Sequence, residues 1–490
     1  MFLWVCVMIA GLSISGIGFA SGDVCLYQEC DCQGSYIECQ SRNLTSVPKL
    51  VSNNTNNTVF TILVLDANRL TKIVSGSLPP NLREISLTLN PIASIDDDAF
   101  NQSATTLETL RFDGAHFTRI PDAFLHLHNL KNLYIYNTPI RDWNPNAMRN
   151  IGNTIETLFL GSVGLTSWPD WFHDFAHFYN VYLADSSFTS VPDNAFAMSE
   201  NTLVTLSIIN GRLMAVPKSL ANHTALKSIH LQDNQITDLT WLPHLSNVSD
   251  IDLNFNNISD AGMLSYVLRP YANSLKNLGL VGNQLTVIPD LSYLTQIGSL
   301  DFGRNRLSDP NSGVMPSNVY ALSFAFNWLP SIPRVYRHLT GVTELFMPSN
   351  LVTQIQGSDF LPLIMFVLLE NNLISELTDD SFPLNSSIIS VNLNNNPIVK
   401  ISAQALSSIP RLRELRLQQS KLTRLPLFLA SLNHIFVFDI SNSTDLVCTC
   451  EEKSLQMWIL SLPPEDVLGN CGDTSVYNFF TTLSQSCPTQ

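Results

Sequence analysis

Charged residues are scarce in this chain of 490 residues. They make up 14% of it, and 26 lysines and arginines stand against 41 aspartates and glutamates, which gives a net charge of −15. A chain so poor in positive charge repels nucleic acid and anionic lipid. We therefore expect no nucleic-acid partner, and a partner that is basic or uncharged.

Long apolar runs are also lacking after the first residues. Residues 1–20 form an uncharged, apolar segment that leads to small residues, as in a signal peptide, although the usual lysine or arginine is absent; an uncleaved anchor is the alternative. The rest of the sequence has no run long enough to span a membrane. These features predict a secreted, extracellular protein without membrane insertion.

Cysteine is absent between residues 40 and 447. Cys6 lies in the predicted signal peptide, and the others form two groups of four: Cys25, Cys30, Cys32 and Cys39, and then Cys448, Cys450, Cys471 and Cys487. Even counts in an exported chain predict two disulfides per group, with zinc sites as the alternative. The sequence alone allows three pairings in each group.

Asn-x-Ser/Thr motifs also fit an exported chain. They predict N-glycosylation at some or all of nine asparagines: Asn43, Asn53, Asn56, Asn101, Asn222, Asn247, Asn257, Asn385 and Asn442.

Catalytic motifs are missing. There is no phosphate-binding loop, no Gly-x-Ser-x-Gly and no unpaired cysteine in the predicted mature chain. His173 and His177 have a metal-binding spacing, but no third ligand accompanies them. We expect no enzyme activity, no cofactor and no metal site.

What the sequence does have is a repeat with the pattern LxxLxLxxNxL. It is seen in "LKSIHLQDNQI" from Leu226 and "LKNLGLVGNQL" from Leu275. About sixteen units, spaced by 22 to 27 residues, begin at residues 60, 82, 107, 130, 155, 178, 203, 226, 248, 275, 297, 319, 342, 364, 388 and 412. Repeats of this length predict a stack of coils in which each coil buries its apolar face against its neighbours.

The repeat and the cysteine spacing at both ends resemble leucine-rich repeat proteins of the extracellular type. The resemblance implies an α/β solenoid shaped like a horseshoe, with a parallel β-sheet on the concave face and short helices, turns and loops on the convex face. It also implies a cysteine-rich N-terminal cap at residues 21–48, repeats over 60–434, and a last degenerate repeat with a C-terminal cap over 435–490. The family pairing would be Cys25–Cys32, Cys30–Cys39, Cys448–Cys471 and Cys450–Cys487.

The repeat assigns side chains to faces. The first, fourth, sixth and eleventh positions point inward, whereas the fifth and seventh project from the concave sheet. Asparagine at the ninth position can bond backbone groups of adjacent coils from inside. Five consecutive units lack it and carry Ala115, Thr138, Val163, Ser186 and Gly211 instead. This is either sequence drift or a locally altered curvature around a binding site.

The same irregular region supplies the candidate site. Arg111, Tyr134, Phe159 and Tyr182 occupy the fifth position of successive repeats, and Tyr136 occupies a seventh position. Aromatic residues in an exposed row are typical of an interaction surface, although they could instead stabilise the sheet by cross-strand packing. A neighbouring acidic group around His230 could bind a basic partner, could hold calcium, or could be merely solvated; its members are Asp185, Asp233, Asp250, Asp252 and Asp301.

The predicted function is binding of a protein or glycoconjugate through the concave face. The resemblance implies recognition, adhesion or innate immunity, and the alternatives are a non-catalytic carrier or regulatory subunit of a secreted enzyme and an extracellular matrix component. Fold alone does not decide among them.

Overall fold

The computed structural model describes residues 25–51, 59–237, 239–244 and 247–486. The predicted signal peptide, Asn53, Asn56 and Cys487 lie outside these residues. The chain divides into two compact units, Met1–Ile151 and Gly152–Gln490.

The first unit is built on short strands that follow one another in space as they do in sequence. Its main sheet has the order β1-β2-β3-β5-β7-β8, in which only the β1–β2 pair is antiparallel, and β4 pairs with β6 in parallel. The strands are β1 (Asp31–Gln33), β2 (Tyr36–Glu38), β3 (Ile62–Val64), β4 (Lys72–Ile73), β5 (Glu84–Ser86), β6 (Ser94–Ile95), β7 (Thr109–Asp113) and β8 (Asn132–Tyr136). Single turns of 3-10 helix lie at Asn101–Ser103 and Asp122–His126, and helix α1 covers Pro145–Gly152.

The second unit repeats this arrangement over more coils. Its parallel runs are β9-β10-β11-β12-β13-β14 and β15-β16-β17-β18-β20-β22-β23-β24. The strands are β9 (Thr157–Gly161), β10 (Asn180–Ala184), β11 (Thr205–Ile209), β12 (Ser228–His230), β13 (Asp250–Asp252), β14 (Asn277–Gly279), β15 (Ser299–Asp301), β16 (Ala321–Ser323), β17 (Glu344–Phe346), β18 (Phe366–Leu368), β20 (Ser390–Asn392), β22 (Glu414–Arg416), β23 (Val437–Asp439) and β24 (Val467–Leu468).

The remaining elements of the second unit lie on its return segments and at its C-terminal end. Two further strand pairs are β19 (Glu376–Leu377) with β21 (Lys400–Ile401) and β25 (Asn470–Cys471) with β26 (Thr474–Ser475). The α-helices are α2 (Ala261–Val267), α3 (Gln456–Ile459) and α4 (Val476–Ser486). The 3-10 turns are Asp170–Asp174, Ala197–Ser199, Lys218–Leu220, Arg269–Tyr271, Arg334–His338, Gly357–Asp359, Leu427–Ser431, Cys450–Leu455 and Pro464–Asp466.

Strand register follows the repeat. Leu110 pairs with Leu133 in the first unit, and Ile229 pairs with Ile251 in the second; all four side chains hold the fourth position and are buried. The predicted α/β solenoid class, with parallel strands and short helical turns, is confirmed in each unit.

Buried asparagines join consecutive coils at the ninth position. Asn305 shows the pattern: its Nδ2 donates to Leu280 O of the preceding coil at 2.9 Å and to Phe302 O of its own coil at 3.1 Å, while its Oδ1 accepts from Leu285 N at 3.1 Å. The same inward bonding is made by the other ninth-position asparagines, which together with Asn305 we call the ladder: Asn68, Asn90, Asn234, Asn256, Asn283, Asn327, Asn350, Asn372 and Asn396.

The five consecutive coils without this asparagine have longer strands, although β22 and β23, whose coils carry Ser420 and Ser443 there, have three residues each. Strands β7 to β11 contain five residues each, whereas the next strands, from β12 to β18, contain three. The asparagine Nδ2 donates to the sixth-position carbonyl of the preceding coil. That carbonyl is then not available to the backbone of the next strand, and the strand pairing ends at the fifth position. Within the five coils that lack it, the register continues through the seventh position, as between Ala184 and Ile209. The seventh side chains there therefore extend the paired sheet surface.

Aromatic side chains fill the interior of the irregular coils. Trp171 stacks on Phe172 at 4.5 Å, and Phe175 stacks on Phe178 at 4.8 Å, all four almost wholly buried. Each large ring buries apolar area that no asparagine could supply. These rings form part of the apolar core of the second unit.

Disulfides lie at both ends. The structure contains three of the four predicted bonds, Cys25–Cys32, Cys30–Cys39 and Cys448–Cys471. The fourth predicted bond involves Cys487, which lies outside the described residues. At the C-terminal end, Trp458 packs on Phe438 at 5.5 Å and donates to Leu432 O at 3.0 Å. The last strand of the repeat array is therefore covered by cap residues.

The ladder predicts a large effect of Asn305→Ala. The change leaves buried backbone groups of two coils without a partner, and each such group costs about 1–3 kcal/mol. We expect the free energy of unfolding to fall by at least about 2 kcal/mol, measured by urea denaturation with hydrogen exchange to locate the loss. Ser186→Ala is the control, because the buried Ser186 Oγ has no hydrogen-bond partner in the described structure. Equal losses for both variants would contradict the role of the ladder.

Candidate partner-binding surface

Arg111 and Tyr134 form the candidate site in the first unit. They are paired in register on β7 and β8, and the Arg111 guanidinium lies 4.2 Å from the centroid of the Tyr134 ring. Arg111 Nε also lies 3.1 Å from Glu84 Oε1. Tyr136 holds the seventh position at the end of β8, opposite Asp113. All of these side chains are partly exposed on the face of the strands.

Phe159 and Tyr182 form a stacked pair in the second unit. They are in register on β9 and β10, with ring centroids 4.7 Å apart and an angle of 21° between the planes. Both are half-buried. Burial, and secondarily the nearby Asp185 carboxylate, raise the pKa of the Tyr182 hydroxyl, so the ring stays neutral at physiological pH. Alignment of the whole aromatic column stays a prediction, because Tyr134 and Phe159 belong to different units.

Asp185 and Asp233 lie in turns that follow their strands, not in the strands. Both have left-handed backbone, with φ of +57°. Asp185 accepts hydrogen bonds from Ser162 Oγ and Asn210 Nδ2, the eighth-position side chains of the two adjacent coils. This bonding gives Asp185 a structural role in joining turns.

His230 lies at the centre of a polar network across β11 to β14. Its Nδ1 is 3.2 Å from Ser207 Oγ, and its Nε2 is 3.4 Å from Asp250 Oδ1. Asn277 Nδ2 donates to Asp250 Oδ2 at 3.0 Å. Burial alone would raise the pKa of Asp250, but the bonds from His230 and Asn277 outweigh it, and the pKa lies below its usual value. Asp250 is therefore a stabilised carboxylate.

Asp252, on the same strand, is in the opposite situation. Burial raises its pKa, although its Oδ1 accepts from Asn254 N at 2.9 Å. The side chain lies against Gly279 of β14, where an added Cβ would be only 2.4 Å from Asp252 Oδ1. Burial also raises the pKa of Asp233. A cationic group brought to this surface would relieve the unfavourable burial of the Asp252 charge.

The sequence did not lead us to expect the hydrogen bond that the fifth-position Asp252 accepts from the backbone N–H of Asn254. Asn392 and Asp439 accept the N–H two residues ahead in the same way, from Asn394 and Ser441. An Asp or Asn at the fifth position of a ladder coil could have signalled it, because these residues readily bond the backbone two residues on. Ser207, Asn277 and Gly279 were missed because their contacts cross between coils.

Other predicted sites are placed as follows. The seven sequon asparagines in the described structure are all exposed: Asn43, Asn101, Asn222, Asn247, Asn257, Asn385 and Asn442. Among the described residues, no three or more His, Cys, Asp or Glu side chains are grouped so that they could hold a metal ion. Nor does any helix in the described part of the chain have the length and apolar character to cross a membrane.

Comparisons with known proteins identify the repeat. A family model described as leucine rich repeat matches residues 362–422, and one described as BspA type leucine rich repeat region (6 copies) matches residues 79–171. Leucine-rich repeat-containing protein 3 of Danio rerio is 33% identical over 95 residues. That alignment spans 19% of this chain and 34% of the relative, so the chain spans about a third of the curated relative it matches.

Solved structures share the fold at low identity. A leucine-rich repeat protein of Leptospira interrogans is 17% identical, with a TM-score of 0.50 over 87% of this chain and 90% of that chain. A structure of the Drosophila Toll–Spätzle complex is 17% identical in sequence, with a TM-score of 0.61 over 86% of this chain and 61% of that chain. The Arabidopsis receptor kinase HAESA, in complex with a peptide hormone and a co-receptor, is 17% identical, with a TM-score of 0.50 over 85% of this chain and 84% of that chain. The fold is therefore that of a repeat solenoid. The chain carries leucine-rich repeats, and its cysteine-rich ends are disulfide-bonded.

The two aspartates of β13 predict opposite effects of substitution by asparagine. Asp252→Asn should raise the melting temperature at neutral pH, because it removes a buried charge and keeps the acceptor, as Asn392 does naturally. Since the folded pKa is raised, the gain should disappear once the pH falls below the ordinary carboxyl pKa of about 3.9.

Asp250→Asn is the matched comparison. Its pKa is lowered in the folded protein, so its charge stabilises the fold above the ordinary carboxyl pKa and loses that effect as the pH falls through the lowered value. We expect a lower melting temperature at neutral pH and a smaller difference in acid, measured by calorimetry from pH 3 to pH 7. Shifts of the same sign in both variants would contradict the assigned electrostatics.

Proposed function

We propose that this chain is an extracellular recognition protein, without catalytic activity of its own. It binds a protein ligand through the strand face of its second unit, by which we mean the fifth- and seventh-position side chains from β9 onward. The centre of the contact is the stacked pair Phe159 and Tyr182. The ligand places an apolar or aromatic side chain against this pair and a basic side chain toward Asp252.

The stacked pair is the observation that carries the proposal. Two rings at 4.7 Å form a rigid, half-exposed platform on strands with five paired residues. Aromatic side chains supply a large contact area at a low entropy cost and are enriched in interface cores. The alternative explanation is that the pair only stabilises the sheet by cross-strand packing.

The electrostatics of β13 support a basic group on the ligand. Asp252 is held with a raised pKa, and Asp250 is ionised and bonded to His230. The chain as a whole carries a net charge of −15, which steers cationic partners toward it. A carboxylate with unfavourable burial gains more from a cationic partner than one already paired.

Known structures with this fold lend support. The printed descriptions place Toll in a complex with Spätzle and HAESA in a complex with a peptide hormone and a co-receptor. Protein ligands are thus compatible with the fold. A glycoconjugate ligand, an innate-immune or adhesive setting, and a matrix role remain narrower versions of the same proposal.

An extracellular location is proposed on chemical grounds. Three disulfides are formed in the structure, and disulfides persist in oxidising compartments. The exposure of every sequon asparagine in the described ranges is what glycosylation requires. We propose that residues 1–20 are a signal peptide and that the protein is secreted.

Substitution of the stacked pair tests the binding proposal. Tyr182→Ala and Phe159→Ala should each weaken capture of the ligand, at least one by more than about 2 kcal/mol, with little change in melting temperature. Tyr179→Ala is the control, because Tyr179 lies on the same coil and is 50% exposed, but outside the strand face.

The measurement is affinity capture from extracellular fluid by each variant, followed by titration of the captured protein. Large losses of melting temperature with unchanged affinity would return the pair to a structural role. A single stoichiometric enzyme among the captured proteins would favour the alternative of a carrier subunit.

The proposed extracellular location predicts that the protein loses its signal peptide and gains N-linked glycans, and both changes can be measured as changes in mass. Protein expressed through a secretory pathway should appear in the medium without residues 1–20 and lose mass on treatment with an N-glycosidase. Asn257→Gln should remove one glycan increment, and Asn311→Gln, at an exposed asparagine outside any sequon, should remove none. Retention in cells with an intact N-terminus and no mass shift would refute the proposed route.

A further inference from the structure

A second exposed surface lies beside the strand face of the second unit, in the turn after each strand. The ninth side chain of each repeat points inward, so the eighth and tenth project outward along this edge. On four consecutive coils these positions hold the residues that we call the flank patch: Arg304, Arg306, Phe326, Trp328, Leu351 and Leu373.

The flank patch is strongly apolar for an exposed surface. Phe326 is 50% exposed, Trp328 52%, Leu351 44% and Leu373 48%. Neighbouring coils are about 5 Å apart, so these side chains form one contiguous group. Contiguous exposed apolar groups of this kind mark contact sites more often than single exposed residues do.

Two arginines border the apolar group. The Arg304 guanidinium lies 4.8 Å from the Phe326 ring centroid, and that of Arg306 lies 6.0 Å from the Trp328 ring centroid. Neither arginine forms an ion pair with any residue that the structure describes. Other arginines of the second unit do, for example Arg337 with Asp359 and Arg416 with Glu414. In a chain with a net charge of −15, this is a local concentration of uncompensated positive charge.

The backbone of Phe326 adds an independent observation. Its φ is +55°, a left-handed conformation that costs an L-residue about 1–2 kcal/mol relative to glycine. Among the other coils of the second unit, only Phe255 is apolar at this position, and the rest carry Ser162, Asp185, Asn210, Asp233, Gly282, Arg304, Ser349, Asn371, Asn395, Gln419 and Asn442. An exposed phenylalanine in this conformation lowers stability, so its folding role does not explain it.

We propose that the flank patch is a docking surface for a protein segment that combines carboxylates with apolar side chains. The carboxylates pair with Arg304 and Arg306, and the apolar side chains cover Phe326, Trp328 and the two leucines. Charge complementarity selects an acidic segment, whereas the strand face selects a basic group. The two surfaces therefore take chemically different parts of a ligand, or different ligands.

A displayed library of random 12-residue peptides tests the proposal. The full-length protein is the bait, and counter-selection on an Arg304→Glu/Arg306→Glu variant removes peptides that bind elsewhere. We expect the surviving peptides to be enriched in Asp or Glu together with Trp, Phe or Leu, and to bind the wild type at least tenfold more tightly than this variant. Arg413→Glu, at an exposed arginine outside the patch, should bind them like the wild type.

Phe326→Asn provides the second variant. It should weaken the selected peptides at least tenfold while leaving the melting temperature unchanged or higher, because asparagine tolerates the left-handed conformation. Gln419→Asn, at the same repeat position outside the patch, should leave peptide affinity unchanged. Tyr182→Ala should also leave it unchanged, which separates this surface from the strand face.

Three outcomes would overturn the proposal. Selected peptides without acidic enrichment, or with equal affinity for the Arg304→Glu/Arg306→Glu variant, would show that the arginines do not select the partner. A fall in melting temperature for Phe326→Asn with unchanged peptide affinity would assign the ring to stability. Concentration-dependent dimerisation in sedimentation velocity that the arginine variant abolishes would make a second copy of the chain the occupant.

Discussion

The buried asparagine amide at the ninth position is the interaction on which most of the structure depends. One side chain satisfies carbonyls of two coils and an N–H of the preceding coil, as Asn305 does with Leu280, Phe302 and Leu285. In these coils the backbone pairing does not continue to these groups, and leaving each of them buried and unpaired would cost about 1–3 kcal/mol. The amide therefore fixes where each strand ends and which residues project from the turn.

The consequences reach both candidate surfaces. Strands β7 to β11, whose coils lack the amide, run longer, and in the second unit β9 and β10 carry the stacked pair Phe159 and Tyr182. Where it is present, the strand stops at the fifth position, and Asp252 bonds the N–H of Asn254. The eighth residue is left-handed in both kinds of coil, at Asp185 as at Phe326, and the tenth projects beside it, so that Phe326 and Trp328 are exposed. From β7 to β18, the presence or absence of this amide thus matches the length of the paired strand.

Much of the fold could be predicted from the sequence because the repeat period is strict. The inward positions, the register and the three described disulfides follow from the spacing of leucine, asparagine and cysteine and from the family resemblance. Strand length could not be predicted, because the pattern says nothing about which carbonyl the asparagine removes from the ladder. The opposite pKa shifts of Asp250 and Asp252 also escaped prediction, since they depend on His230 and Gly279 from neighbouring coils.

The fixed spacing between the strand and the ninth-position residue limits where such a chain can change its length. From the first leucine to the ninth-position residue the spacing is constant, whereas whole repeats vary from 22 to 27 residues, so every added residue falls in the return segment. The longest repeat, from residue 248, accommodates helix α2 there. An insertion between strand and turn would displace the amide from its carbonyls in two coils at once. Evolution and engineering alike therefore have freedom on the return side, where new loops, tags or glycans can be added without disturbing the stack.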